Sequence, residues 1–148
     1  MVPPNLCAVD SSVKQVIHLL VNAAGRNANL LLNIGPLANG VIQPEFRDTL
    51  AAVGDWLKKY GESVYGTRGN LIAPQPWGVL TTKNNSMYLH ILKPPAQSFI
   101  FIPGINKKIK KALVLNSNKQ ITVKRQAEGM FIYLDKIDFD PIDTIIQL

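Results

Sequence analysis

Asn29-Leu30-Leu31-Leu32-Asn33-Ile34-Gly35-Pro36, followed by Gly40, Pro44, Trp56 and Tyr65-Gly66-Thr67-Arg68, decides how the first half of this chain reads. An apolar run of strand length stops at Gly-Pro, crosses a polar loop and enters a helix. The run Leu30-Leu31-Leu32 does not alternate with polar residues, which predicts a strand covered on both faces, as in a parallel sheet. A strand, a short loop and a helix in this order form the pattern of the last β/α unit of a parallel barrel. Its place at the front of the chain implies that the rest of a barrel is missing upstream.

Upstream of that run, Ser12-Val13-Lys14-Gln15 has the form of a capping box. Val13, Val16, Ile17, Leu20, Val21 and Ala24 then recur at steps of three and four, which makes one buried stripe on a helix. Gly25 is expected as the residue just past its end. Downstream, Pro44 stands where a helix starts, with Glu45 favoured by the dipole in the first turn. Phe46, Leu50, Val53, Leu57 and Tyr60 make the next stripe, and Gly61 closes it. Helix, buried strand, loop and helix together give an αβα order.

Beyond about residue 75 the period changes from helical to alternating. Seven short runs follow, at Gly78–Thr82, Met87–Leu92, Ser98–Ile102, Ala112–Leu115, Ile121–Arg125, Met130–Leu134 and Thr144–Leu148. Asn84-Asn85, Pro94-Pro95, Pro103-Gly104, Asn116-Ser117-Asn118, Gly129 and Asp140-Pro141 separate them. Within the second run, Met87, Leu89 and Ile91 share one face, and Tyr88, His90 and Leu92 the other. Short strands with regular turn signals predict an antiparallel β-sandwich. The expected fold class is therefore an α+β composite: the last α/β unit of a TIM-type barrel, residues 1–68, followed by a C-terminal β-sandwich domain, residues 69–148.

The chain has 148 residues, 47% of them hydrophobic, so it is expected to fold rather than remain disordered. No apolar run reaches the length of a membrane span. Met1-Val2-Pro3-Pro4-Asn5 lacks a basic region followed by an apolar one, so no signal peptide is read there. The single Cys7 has no partner for an internal disulfide or a metal site and is read as a passive residue. The net charge of +6 draws on Lys107, Lys108, Lys110 and Lys111, with Lys124 and Arg125 further on. Such a surface attracts polyanions. The cluster lacks interleaved aromatics in the sequence and fits no helix-turn-helix or zinc finger. The lysines are read as solvating a loop and blunting a sheet edge, with neither nucleic acid nor membrane as partner.

Asn29–Pro36, Gly40, Pro44, Phe46, Gly54, Trp56-Leu57, Gly61-Glu62 and Val64-Tyr65-Gly66-Thr67 closely resemble the stretch that closes the catalytic barrel of the α-L-fucosidases, a family of retaining glycoside hydrolases. Trp77-Gly78, Thr81-Thr82-Lys83, Tyr88-Leu89-His90, Ile102-Pro103-Gly104 and Asp140–Thr144 resemble the C-terminal sandwich of such enzymes. The match runs over nearly the whole chain from about Val13. Leu37-Ala38-Asn39-Gly40 departs from the family's acidic residue before glycine, and residues 1–10 match poorly. The resemblance implies the C-terminal portion of a hydrolase that removes terminal α-L-fucose from glycans with retention and without a cofactor or metal. It implies a fucosylated glycan as the parent's substrate, and a missing barrel segment or partner chain that covers residues 1–68. The family is often secreted, periplasmic or lysosomal.

A retaining glycosidase needs two carboxyl groups about 5–5.5 Å apart, carried in a β/α barrel at the C-terminal ends of different strands. The one barrel strand read here ends in Asn33 and Gly35. The acids of this half are Asp10, at a helix start, and Glu45, Asp48, Asp55 and Glu62, in or beside the second helix; all five read as caps or solvated groups. By the resemblance, the nucleophile and the acid/base lie upstream, so no catalytic residue is assigned, the substrate-binding residues stay unassigned, and the chain alone is expected to be inactive. Asn33 either orients a neighbouring group or satisfies loop backbone. His18 and His90 read as packing or surface residues without metal-site spacing. Trp56 and Trp77 read as packing rather than sugar platforms, Arg68-Gly69 as a linker, and Gly35 and Gly40 as turn glycines. The rival reading is a stand-alone, non-catalytic β-sandwich that binds carbohydrate or docks a partner. It would leave a large apolar patch exposed on the first part.

Overall fold

Helix α1, Val13–Gly25, starts at the capping box read from the sequence: Ser12 N–H donates to Gln15 Oε1 (2.6 Å) and Gln15 N–H to Ser12 Oγ (3.3 Å). The computed structural model describes residues 12–105, 107–117, 119–135 and 137–148. Helix α2, Pro44–Tyr60, has Pro44 in its first turn and runs into a short 3-10 helix, Gly61–Ser63. Among the described residues seven strands follow: β1 Gly78–Lys83, β2 Ser86–Ile91, β3 Phe99–Pro103, β4 Leu113–Val114, β5 Val123–Gln126, β6 Gly129–Tyr133 and β7 Thr144–Gln147. Their ends differ from the expected runs by two residues at most.

All strand pairs are antiparallel. One sheet has the order β1-β2-β7-β4 and the other β3-β6-β5. The sheets face each other across Leu80, Met87, Leu89, Ile91, Ile146, Ile100, Ile102, Met130 and Ile132, all at most 2% exposed. Burying one such side chain contributes about 1.5–3 kcal/mol. The two faces of β2 separate as its alternation predicts. Met87, Leu89 and Ile91 face the second sheet. Tyr88 turns to the opposite side, where Val79, Ile145 and Leu115 meet Val16, Ile17 and Val21 of α1 and Val53 and Trp56 of α2. The four-stranded sheet is thus the middle layer of three, and most of β1 and β2 is buried.

Two expectations need correction. Leu30–Leu32 is not a strand among the described residues, and no residue from Asn29 to Pro36 makes a backbone hydrogen bond there. The backbone still carries a period of two. Leu30, Leu32 and Ile34 are half-buried, whereas Leu31 (85% exposed), Asn33 and Gly35 are bare. Leu32 packs against the helix–sheet core, and with Ile34 it lines a small cavity beside Val16, Phe46 and Leu50. One face is therefore covered, not two. A strand exists only through a neighbour that takes its N–H and C=O groups, and none of the described residues supplies one.

Gly25 is the last residue of α1, not the one beyond it. Asn27 takes the left-handed conformation instead (φ 56°). The glycine is needed for close approach: a Cβ on Gly25 would run into the Val79 side chain of β1, and one on Gly69 into the Gly25 carbonyl. Asn70 N–H donates to that same carbonyl at 3.0 Å. Gly25→Ala is therefore expected to destabilise the chain by about 1–3 kcal/mol through overpacking, although alanine is the better helix former by about 1 kcal/mol. Urea unfolding reads the sign directly; a rise in stability would show that α1 does not bear on β1 at this point.

Candidate functional site

The chemistry-bearing residues fall into two places: the bare face of residues 29–36, and a buried polar group between the helical layer and the middle sheet. On the bare face, Asn33 is exposed and its side chain bonds nothing among the described residues, neither loop backbone nor a neighbouring group. The turn after it closes by itself, through Leu37 N–H to Val41 O (2.9 Å) and Val41 N–H to Asn39 Oδ1 (3.1 Å), with Gly40 at φ 80°.

Among the described residues, no carboxylate bonds to this face. Glu45 and Asp48 are exposed on the first turns of α2, and Arg47 Nε lies 3.8 Å from Asp48 Oδ1. Asp55 pairs with Lys58 at 2.8 Å in solvent, an interaction worth little. Glu62 accepts a hydrogen bond from the Tyr88 hydroxyl (3.3 Å). Cys7 and Asp10 lie outside the described residues. Among the described residues, no group of three or more His, Cys, Asp or Glu is placed to hold a metal ion, and no helix is long and apolar enough to cross a membrane.

The buried group centres on His90. Its Nδ1 bonds Asp143 Oδ2 at 2.6 Å, and both side chains are fully buried. Its Nε2 lies 3.3 Å from Thr81 Oγ1 and 3.3 Å from the Ser63 carbonyl. Thr81 Oγ1 donates to that carbonyl at 2.7 Å. A hydroxyl, an imidazole and a carboxylate in series resemble a nucleophile with its base and orienting acid. Thr81 and His90 are both 0% exposed, so no substrate reaches them. The group instead ties the 3-10 helix after α2 to β1, β2 and the start of β7. His18 adds a second tie, from α1 to the Ile142 carbonyl (2.6 Å), and Asn116 a third, to the Lys59 carbonyl at the end of α2 (2.6 Å). Trp56 lies in the helix–sheet core against Tyr60 (ring centroids 5.4 Å), and Trp77 in the sandwich core. Arg68 makes a backbone bridge to Thr82 at the edge of β1.

Solved fucosidase structures share this arrangement. α-L-Fucosidase isoenzyme 1 from Paenibacillus thiaminolyticus superposes with a TM-score of 0.79 at 30% identity, over 93% of this chain and 34% of that one. A Bacteroides thetaiotaomicron α-L-fucosidase of family GH29, trapped as a covalent intermediate, gives a TM-score of 0.81 at 26% identity, over 93% and 32%. The α-L-fucosidase family model matches residues 8–62. This chain is homologous to part of an α-L-fucosidase. Mouse tissue α-L-fucosidase is 38% identical over 79 residues, which is 53% of this chain and 16% of that protein. Human plasma α-L-fucosidase is 30% identical over 96 residues, 62% of this chain and 21% of its own length. The chain thus spans about a third of its fucosidase neighbours among solved structures.

Two tests follow from the buried group. Asp143→Ala leaves the buried His90 Nδ1 without its partner and is expected to cost about 1–3 kcal/mol, the scale of an unsatisfied buried polar group. Combined with His90→Ala in a double-mutant cycle, it should give a coupling of at least about 1 kcal/mol by urea unfolding; additive losses would separate the two residues. Burial, then the Glu62 charge, raises the Tyr88 phenol above its ordinary value of 10.0. A folded value above the unfolded one means the stability linked to this proton is fully present below pH 10 and is lost as pH rises through the folded value. Tyr88→Phe should lack that alkaline loss, so the two stability–pH curves should differ in slope above pH 10; identical slopes would refute it.

Proposed function

We propose that this chain is the C-terminal part of an α-L-fucosidase, with residues 1–68 closing a TIM-type barrel and residues 69–148 forming the sandwich that braces it. The observation that carries this is the bare face at Leu31 and Asn33. Residues 29–36 have the alternation of a strand and one face toward the helices, yet among the described residues no strand lies beside them. A neighbouring barrel strand on each side would take their backbone groups, and the barrel interior would cover Leu31. The missing barrel segment, in the same polypeptide or in a partner chain, is the partner that this face calls for.

The parent reaction would be hydrolysis of terminal α-L-fucose from glycans with net retention. The Bacteroides relative trapped as a covalent intermediate supports a two-step course through a glycosyl-enzyme. The chemistry asks for two carboxyls about 5–5.5 Å apart. In this chain the acids Glu45, Asp48 and Asp55 lie along α2, on the outside of such a barrel, and Glu62 is engaged by Tyr88. The nucleophile and the acid/base would therefore come from other barrel strands, and this chain would supply a wall of the site, with Asn33 at its rim, but no reacting group.

The purified chain is expected to release no 4-nitrophenol from 4-nitrophenyl α-L-fucoside above the buffer rate. A chimera carrying it in place of the matching third of the Paenibacillus enzyme should hydrolyse the same substrate. Turnover by the isolated chain, or a folded but inactive chimera, would count against this reading.

A further inference from the structure

The loop after the extended segment is apolar, where an exposed connection is ordinarily polar. From Ile34 to Ile42 it holds no charged side chain. Leu37, Val41 and Ile42 are 45%, 52% and 47% exposed. Among the described residues, none of the three belongs to either hydrophobic core. Grouped apolar side chains left in water mark a surface that takes a ligand or a partner.

The loop holds its shape by itself. Gly40 N–H donates to the Leu37 carbonyl (2.8 Å) and Leu37 N–H to the Val41 carbonyl (2.9 Å), so the chain closes on itself from Leu37 to Val41. Asn39 has the one polar side chain between Ile34 and Ile42. Its Oδ1 is engaged within the turn, where it accepts the Val41 N–H at 3.1 Å. The polar groups of the turn thus bond one another, and the surface it offers outward is that of Leu37, Val41 and Ile42.

We propose that Leu37, Val41 and Ile42 form an apolar wall on the leaving-group side of the fucosidase site, and so select fucosides whose leaving group presents an apolar surface. The inference rests on the fucosidase reading and names the substrate class of that same site. In a β/α barrel the loop after each strand stands on the catalytic face, with the reacting groups at the strand ends. Residues 29–36 run toward this loop, so Asn33 marks the level of the sugar that reacts, and Leu37–Ile42 stand further out. The bond that is cut joins a terminal fucose, so the rest of the substrate has to lead outward through the mouth of the site, past such loops. An apolar leaving group takes these side chains out of water as it binds. A hydroxyl-rich one would give up bonds to water there without regaining them.

The chimera that carries this chain in the Paenibacillus enzyme tests it with two substrates. One is 4-nitrophenyl α-L-fucoside, whose leaving group is a flat ring; the other is α-L-fucosyl fluoride, whose leaving group is a single small ion. In the variant L37S/V41S/I42S, the ratio of kcat/KM for the aryl fucoside to that for the fluoride should fall about tenfold, the scale at which an apolar pocket discriminates. Val41→Thr keeps the outline of the side chain and stands in should the triple variant fail to fold; it should lower the ratio about fourfold, the scale of one methyl group. Residues that merely pack against neighbouring barrel loops would slow both substrates together. An unchanged ratio, or a greater loss with the fluoride, therefore overturns the inference and leaves the fucosidase reading standing. A folded chimera that hydrolyses neither substrate overturns both.

Discussion

His90 stands where the helical layer meets the middle sheet, and it holds the two together by reaching three elements at once. Asp143 comes from the turn before β7, Thr81 from the neighbouring strand, and the Ser63 carbonyl from the 3-10 helix that ends α2. Apolar packing alone would let α1 and α2 slide over Val79, Tyr88 and Ile145. Directional bonds among fully buried groups do not tolerate such a shift, because each displaced partner is left unsatisfied at about 1–3 kcal/mol. The Asn116 bond to the end of α2 and the His18 bond to Ile142 fix the same layer at its margins. Gly25 sets how close α1 may come.

This arrangement makes the middle sheet serve two cores. One side faces the second sheet and the other the helices, which is why β1 and β2 are buried along most of their length. A sheet used this way transmits position: where the sandwich goes, the helices follow. The extended segment at residues 29–36 rests against the helix–sheet core through Leu32, with Ile34 at the small cavity beside it. It therefore keeps the shape of a strand without a strand's hydrogen bonds to any described residue.

The strands were legible in the sequence because period two and turn residues are local signals. Asn84-Asn85, Pro103-Gly104 and Gly129 punctuate runs whose alternation needs no knowledge of partners. The capping box at Ser12 was legible for the same reason. The covering of Leu30–Leu32 was not legible, because three consecutive leucines announce burial without saying what does the burying. The His90 group was missed because His90 and Asp143 are 53 residues apart, and only the pairing of β2 with β7 brings their turns together. Nothing near His90 in sequence marks it as other than a strand residue. The ring contacts of Phe99 and Phe101 with Phe131 and Tyr133 had a visible trace, in pairs at period two. They form because β3 lies beside β6, with β4 and β5 between them in the chain.

The two halves of the chain stand differently toward a partner. The sandwich closes its own core and pairs its strands, so it needs no neighbour to satisfy its backbone. The extended segment has its side-chain packing on one face only, and among the described residues nothing takes its backbone groups. Under the fucosidase reading this asymmetry has a physical consequence. The sandwich and the two helices can settle first, through the His90 group, and present residues 29–36 already extended and correctly phased, with Leu31 and Asn33 turned outward. A barrel strand arriving beside them then finds a preformed edge and gains backbone bonds without the cost of ordering the segment, about 1–2 kcal/mol per residue. Preorganisation by the sandwich would then be what it contributes to an active site whose reacting carboxylates lie elsewhere.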